Sequence, residues 1–180
     1  MKHHFQVNKI LIPIDFSKTS KLALEHAAHL CKAFKSELHL LHITKNYTID
    51  VLPNLTATSA VLSNQEDLRE RVTEELNAIG EKFSEQHNVG YNIEVKGGSV
   101  ANGIIESAKD CKADLIVMGT HGVSGFEEFF IGSNAYRAVT SATVPVLTVQ
   151  EHSDKMGFEN IVLPIDLSLI HISEPTRPSQ

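Results

Sequence analysis

The chain has little cysteine and no apolar run long enough to cross a membrane. Its two cysteines, Cys31 and Cys111, show no CxxC spacing, which predicts reduced structural thiols rather than a disulfide framework. No run approaches the roughly 20 apolar residues of a spanning helix. The stretch from Met1 to Phe5 leads into a predicted strand without the apolar segment of a signal peptide. We therefore expect a cytoplasmic protein.

Positive charge is also scarce. The 180 residues include 16 Lys and Arg against 22 Asp and Glu, which gives a net charge of −6. No cluster of Lys and Arg offsets this balance, and an acidic surface disfavours nucleic acid and anionic lipid as partners. We expect neither a nucleic-acid partner nor a membrane partner.

Signatures of common catalytic and metal sites are absent from the sequence. There is no Walker A lysine motif, no HExxH and no Cys/His cluster, and Gly122-Val-Ser-Gly125 is not a GxSxG elbow. His26 and His29 lie one turn apart on a predicted helix, but His39 and His42 have opposite parity on a predicted strand. The sequence predicts no catalytic residue and no metal cluster.

Apolar patterning predicts alternating strands and helices. Short apolar runs indicate buried parallel strands, and stretches with helical spacing lie between them. The predicted strands are Lys9–Ile14, Glu37–Ile43, Tyr91–Lys96, Asp114–Met118 and Pro145–Val149. The predicted helices are Ser17–Phe34, Asp67–His87, Val100–Cys111 and Ser133–Ser141, with Ser17 and Ser99 as predicted N-caps. This order predicts an open five-stranded parallel sheet with helices on both faces, a Rossmann-like α/β fold. A ligand is expected at the carboxyl ends of the strands.

A motif near the N-terminus recurs near the C-terminus. Residues 10–17 read ILIPIDFS and residues 161–168 read IVLPIDLS, with five of eight positions identical. The repeat predicts one domain over residues 1–150. Within residues 151–180 it predicts a linker and the first strand of a truncated second copy.

The second copy stops soon after it begins. Pro175 and Pro178 would interrupt a helix like the one that follows the first copy. Residues 169–180 resemble translated sequencing-adapter read-through, and a natural C-terminal extension is the alternative. We expect no function from this tail.

A glycine-punctuated loop is the segment most indicative of function. Gly119-Thr-His-Gly122 follows a predicted strand, and after nine further residues Gly132-Ser133 opens a predicted helix. Glycines allow close approach to phosphate and positive φ angles. Free N–H groups at a helix start attract anions. The pattern favours a phosphate-binding loop, with a ligand-free strand–loop–helix connection as the alternative.

This spacing, together with Pro13-Ile14-Asp15 at the end of the first strand, resembles the ATP-binding branch of the universal stress protein family. The resemblance covers about residues 5–150, and the repeat is similar to a tandem, two-domain member cut short. It implies an adenine nucleotide alpha hydrolase-like fold, a homodimer, and ATP as cofactor with Mg²⁺ or Mn²⁺.

The resemblance also implies a set of binding residues. Asp15 matches the acidic residue beside the adenosine, Ile43 matches the position whose backbone meets the adenine edge, and Met118 matches a ribose-side contact. The full set comprises Pro13, Ile14, Asp15, Ile43, Met118, Gly119, His121, Gly122, Gly132, Ser133 and Asn134. Purely structural roles are the alternatives. Asp15 and Ser133 are also candidate N-caps, and Asn134 is also an ordinary first-turn residue. Ile43 and Met118 would be buried in any such fold.

One departure from the family pattern weakens the phosphate site. Glu127 and Glu128 lie in the nine-residue span, and no Lys or Arg occurs from Ala113 to Tyr136. Phosphate binding would then rest on backbone N–H groups and a divalent cation. The predicted function is an ATP-binding stress-response module. The alternatives are a nucleotide-independent interaction protein and, third, a slow ATP-hydrolysing enzyme.

Overall fold

The computed structural model describes residues 6–44, 59–120 and 131–150, with the side chains of 59–65 left aside. Five strands and four helices alternate along this part of the chain. The elements are β1 Lys9–Pro13, α1 Lys18–Phe34, β2 Glu37–Thr44, α2 Ser59–His87, β3 Tyr91–Gly97, α3 Val100–Asp110, β4 Leu115–Gly119, α4 Ser133–Ser141 and β5 Val146–Val149. The predicted alternation is confirmed.

The strands form one parallel sheet in the order β3-β2-β1-β4-β5. The order reverses direction between β1 and β4, so the strand ends diverge there and leave a crevice. Val7 lies just before β1 and is buried, and Ile10, Leu11 and Ile12 are wholly buried because helices cover both faces. The predicted open five-stranded sheet is therefore correct.

Side-chain alternation along the strands divides the core in two. Ile10 and Ile12 point towards the face covered by α1 and α2, in a cluster with Ala27 and Leu76. Leu11 points to the opposite face, which α3 and α4 cover. Because successive side chains of a strand point to opposite faces, one continuous apolar run in β1 contributes to the core on both faces of the sheet.

Several predicted boundaries were wrong by a residue or two, and one by more. The second helix begins at Ser59 instead of Asp67, because its early apolar residues, Ala60, Val61 and Leu62, are consecutive and a polar run follows them, so they do not recur at helical spacing. Ser17 is the N-cap of α1, as predicted, and its side chain accepts from Ser20 N–H. Ser99 occupies the N-cap position of α3 but makes no side-chain cap hydrogen bond. Residues 151–180, including the repeat, lie outside the described residues.

Among the described helices, none combines the length and apolar character that a bilayer-crossing segment needs.

Candidate functional site

A cleft of about 310 Å³ opens at the carboxyl ends of β1 and β4, beside the first turn of α4. Every predicted site residue within the described ranges lines it. These are Pro13, Ile14, Asp15, Ile43, Met118, Gly119, Gly132, Ser133 and Asn134. His121 and Gly122 lie outside the described residues. Segments separated by about a hundred positions in the sequence therefore meet at one place.

Further residues that the sequence analysis did not predict also line the cleft. They comprise Ser20, Leu41, His42, Val100, Ile104, Thr120 and Ala135. Val100 and Ile104 are one turn apart on α3, so their helical spacing was the available signal. The other residues come from the neighbourhood of predicted positions. The α3 wall formed by Val100 and Ile104 is apolar.

The turn after β1 holds Asp15 in a fixed position. Phe16 adopts a left-handed φ of 63°, and Oδ1 of Asp15 accepts a hydrogen bond of 3.0 Å from Ser17 N–H. Ser17 then caps α1 by accepting from Ser20 N–H at 3.1 Å. Asp15 therefore orders the turn but is not the N-cap, so the alternative that it merely caps α1 is wrong.

The end of β2 presents main-chain groups to the cleft. Glu37 N–H donates to Asn8 O and Leu41 O accepts from Ile14 N–H, so odd-numbered residues of β2 pair towards β1. By this alternation, the N–H and C=O of Ile43 also point to the β1 side. Since β1 ends at Pro13, those two groups lie beyond the last residue of β1 and beside the cleft. The N–H of Ile43 is a hydrogen-bond donor and its C=O is an acceptor, and both lie on the same edge of β2.

Gly103 brings α3 close to the end of β2. A Cβ atom on Gly103 would lie 2.7 Å from Cδ1 of Ile43, so with any larger residue the end of the Ile43 side chain would have to shift. Glycine therefore leaves the Ile43 side chain in place against the apolar wall.

Both ends of the glycine-punctuated loop are anchored. Thr120 N–H donates to Val149 O at 2.9 Å, and Gly132 N–H donates to Thr120 O at 2.8 Å. Thr120 is 2% exposed. The chain thus leaves the sheet and returns to α4 at one fixed point, which sets the position of the helix start relative to β4.

The start of α4 differs from the expectation in two respects. Gly132, rather than Ser133, is the N-cap, so the alternative that Ser133 caps the helix is wrong. The φ of Gly132 is −59°, so this glycine does not use the positive φ that its residue type allows. No side chain caps the helix, and its first turn carries no acidic residue.

The first amides of α4 lie beside the cleft and have no partner in the helical ladder. The first helical hydrogen bond joins Tyr136 N–H to Gly132 O at 2.9 Å, so the N–H groups of Ser133, Asn134 and Ala135 precede the helical ladder. All three residues line the cleft. Together with the positive end of the helix dipole, they form a site for negative charge.

The charges around the cleft are few. Asp15 is the one carboxylate among the described residues that line it, and no Lys or Arg is among them. Within the described part of the chain, no three His, Cys, Asp or Glu side chains cluster in a way that could hold a metal ion. Of the two histidines one turn apart on α1, His26 is buried and His29 is exposed.

Comparison with known proteins places this geometry in a family. The sequence profile of the universal stress protein family matches residues 6–150. Universal stress protein MJ0531 of Methanocaldococcus jannaschii is 38% identical over 145 residues, which cover 79% of this chain and 82% of that protein.

Solved structures agree with the sequence match. The structure of MJ0577, a universal stress protein of the same organism, superposes with a TM-score of 0.62 at 28% identity and covers 80% of this chain and 96% of that one. A universal stress protein solved in complex with cAMP has a TM-score of 0.59 at 18% identity, covers 81% of this chain and 98% of that one, and shares the fold. The chain therefore belongs to the universal stress protein family.

Proposed function

We propose that this protein binds ATP in the cleft and acts as a nucleotide-dependent stress-response module. The observation that carries the proposal is the convergence of three features on one cleft: the free amides of the α4 start, the Asp15 carboxylate and the main chain of Ile43. Each suits a different part of an adenine nucleotide.

The base would lie against the apolar wall formed by Val100 and Ile104. Adenine presents a donor and an acceptor at one edge, and Ile43 offers the complementary pair of main-chain groups. The cleft volume of about 310 Å³ is at the lower end of small-ligand pockets, which suits a nucleoside with the phosphates extending towards α4.

The ribose and phosphates would take the polar end of the cleft. A carboxylate accepts hydrogen bonds from ribose hydroxyls, and Asp15 is held in position by Ser17 N–H. The amides at the start of α4 would receive the phosphates. A universal stress protein of the same fold has been solved with cAMP, which is an adenine nucleotide.

A divalent cation would bind at this site only together with the phosphates of the nucleotide. Asp15, the one carboxylate among the described lining residues, is assigned to the ribose, so Mg²⁺ would be held mainly by phosphate oxygens and waters. Mg²⁺ or Mn²⁺ would neutralise phosphate charge where lysine and arginine are lacking.

We infer a regulatory role, in the cytoplasm, in preference to catalysis. The polar groups of the cleft suit binding, and none of its described side chains forms an acid–base pair positioned for hydrolysis. ATP would act through conformation or assembly, and any hydrolysis would be slow. β5 is an edge strand of the sheet and could pair with a second copy, which makes a homodimer the expected assembly. Sedimentation velocity at micromolar concentration tests this, and a clean monomer would contradict it.

A nucleotide-independent interaction protein is the second candidate. Glu127 and Glu128 in the loop, with no Lys or Arg from Ala113 to Tyr136, favour a weak or empty phosphate site. Both candidate functions have the same fold, so a measurement of ATP binding distinguishes them.

Calorimetric titration of the purified 180-residue chain with ATP and Mg²⁺ tests the proposal. Asp15→Asn keeps an oxygen for Ser17 N–H but removes the charge, so it should weaken ATP binding about five- to tenfold without unfolding the turn. Asp67→Asn, at an exposed position on α2, is the matched control and should bind as the unaltered chain does. Undetectable binding by the unaltered chain would favour the interaction protein.

A further inference from the structure

The imidazole of His42 completes the hydrogen bonding between the ends of β1 and β2. The register of the two strands ends with Pro13 opposite Leu41, and Ile14 N–H then donates to Leu41 O at 2.7 Å. A regular parallel ladder would continue with a bond from Ile43 N–H to the Ile14 carbonyl. No such bond is among the described main-chain pairs. Nδ1 of His42 lies 2.7 Å from that carbonyl oxygen instead.

The direction of this bond fixes the tautomer. A carbonyl oxygen can only accept, so Nδ1 of His42 carries the proton and donates to Ile14. Both main-chain polar groups of Ile14 are consequently held by β2, one by backbone and one by a side chain. The main chain of Ile43 is left facing the cleft.

The same ring also packs on the turn that carries Asp15. The ring centroids of Phe16 and His42 are 4.9 Å apart, with an angle of 33° between the planes. Of the two neighbours of Asp15 in the chain, Ile14 accepts a hydrogen bond from His42 and Phe16 packs against the ring of His42. On the far side, Ser17 N–H donates to the Asp15 carboxylate at 3.0 Å.

We propose that His42 is a positioning residue of the nucleotide site, which acts by holding Ile14 and thereby orienting the Asp15 carboxylate. The inference rests on the proposed function, because it concerns the same cleft. His42 itself lines the cleft, but within the described part of the chain its polar contact is with the Ile14 carbonyl. Preorganisation of Asp15 lowers the ordering cost of binding, and that cost would otherwise reduce affinity.

Two substitutions of His42 distinguish the contribution of its hydrogen bond to ATP binding from that of its aromatic ring. His42→Phe keeps an aromatic ring against Phe16 but removes the donor. His42→Asn removes the ring but can place an amide N–H close to the position of Nδ1. Titrated with ATP and Mg²⁺, the Phe variant should bind about tenfold more weakly, whereas the Asn variant should stay within about twofold of the unaltered chain. His29→Asn, at an exposed position on α1, is the control for replacing a histidine.

Coupling to Asp15 tests the route by which His42 acts. In an Asp15→Asn background, the tenfold loss caused by His42→Phe should shrink to about twofold, because the carboxylate to be oriented is gone. Full additivity would overturn the proposal. So would a Phe variant that binds normally, or an Asn variant as weak as the Phe variant, which would assign the effect to the ring.

A measurement on the unaltered chain keeps the inference testable if a variant fails to fold. The ¹⁵N shifts of His42 should show the Nδ1–H tautomer with and without ATP, and the opposite tautomer would overturn the proposal. No ATP binding by the unaltered chain would contradict the proposed function, and the role of His42 with it. ATP binding that is insensitive to His42 would overturn the role of His42 alone.

Discussion

Gly119, at the end of β4, lies against Thr19 in the first turn of α1. A Cβ atom on residue 119 would stand 2.9 Å from Cβ of Thr19 and 3.1 Å from its backbone carbonyl carbon. The second atom belongs to the main chain, so it cannot move away as a flexible side chain would. The two elements that bound the cleft are therefore in direct contact through this glycine.

Gly119→Ala should destabilise the protein and weaken ATP binding together. The methyl group would push α1 and β4 apart, and overpacking of this kind costs about 1–3 kcal/mol in the free energy of unfolding. Gly90→Ala is the matched control, because its Cβ would lie 3.7 Å from Cγ of Glu37, an ordinary contact. Urea denaturation and calorimetry measure the two effects. A Gly119→Ala chain as stable as the control would show that the contact relaxes without cost.

Ser133→Ala should reduce ATP affinity without reducing stability. Gly132 is the N-cap and no side chain caps α4, so the Ser133 hydroxyl contributes no cap to lose. Its removal should weaken ATP binding about three- to tenfold, the usual net cost of one hydrogen bond, because most of the phosphate site is main chain. Calorimetry and thermal unfolding give the two quantities. A lower unfolding midpoint with unchanged affinity would contradict the proposed phosphate site.

Asn134→Asp should change stability and affinity in opposite directions. A carboxylate in the first turn of a helix interacts favourably with its dipole, by about 0.3–1 kcal/mol. Asn134 is exposed and lines the cleft, so the same charge would repel phosphate. We expect a higher unfolding midpoint without ligand and weaker ATP binding. Asn134→Gln, which is uncharged, is the control. Increased ATP affinity of the Asp variant would mean that phosphates do not approach α4.

The strands and the helix start that frame this cleft were predictable because their signals are local, whereas the set of site residues followed from the family resemblance. The run from Lys9 to Ile14 has the composition of a buried strand, and Gly132-Ser133 marks a helix start. The contact of Gly119 with Thr19 could not be predicted, because it joins positions a hundred residues apart. The bond from His42 to Ile14 likewise depends on strand register, which alternation alone does not determine.

Cys31 should resist thiol reagents in the native protein. Burial in α1 raises the pKa of the Cys31 thiol to about 12. The thiolate is the reactive form, so its fraction should be about a thousandfold below that of a free cysteine. A Cys111→Ser chain reports on Cys31 alone, and a thiol-reactive chromophore should label it only on unfolding. Rapid labelling under native conditions would show that α1 opens locally.

Glu94 should contribute stability that is lost in acid. Burial raises the pKa of its carboxyl group, but hydrogen bonds from His39 and Lys96 outweigh burial, so the pKa lies below its ordinary value. The two contacts measure 2.9 Å to Nε2 of His39 and 3.2 Å to Nζ of Lys96. A carboxyl whose pKa is lower in the folded state stabilises that state above the pKa of the unfolded chain. The contribution disappears as pH falls through the folded pKa.

Glu94→Gln should therefore lower the free energy of unfolding at neutral pH and flatten its dependence on acid pH. The side chain of Glu94 is 24% exposed, so solvent screening limits the loss to about 0.5–1 kcal/mol. Glu70→Gln, at an exposed position on α2, is the control and should leave the acid profile unchanged. Urea midpoints measured from neutral to acid pH test this. The difference between Glu94→Gln and the unaltered chain should shrink as pH falls, because the carboxylate becomes protonated and resembles the amide. A difference that grows in acid would reverse the sign and contradict the lowered pKa.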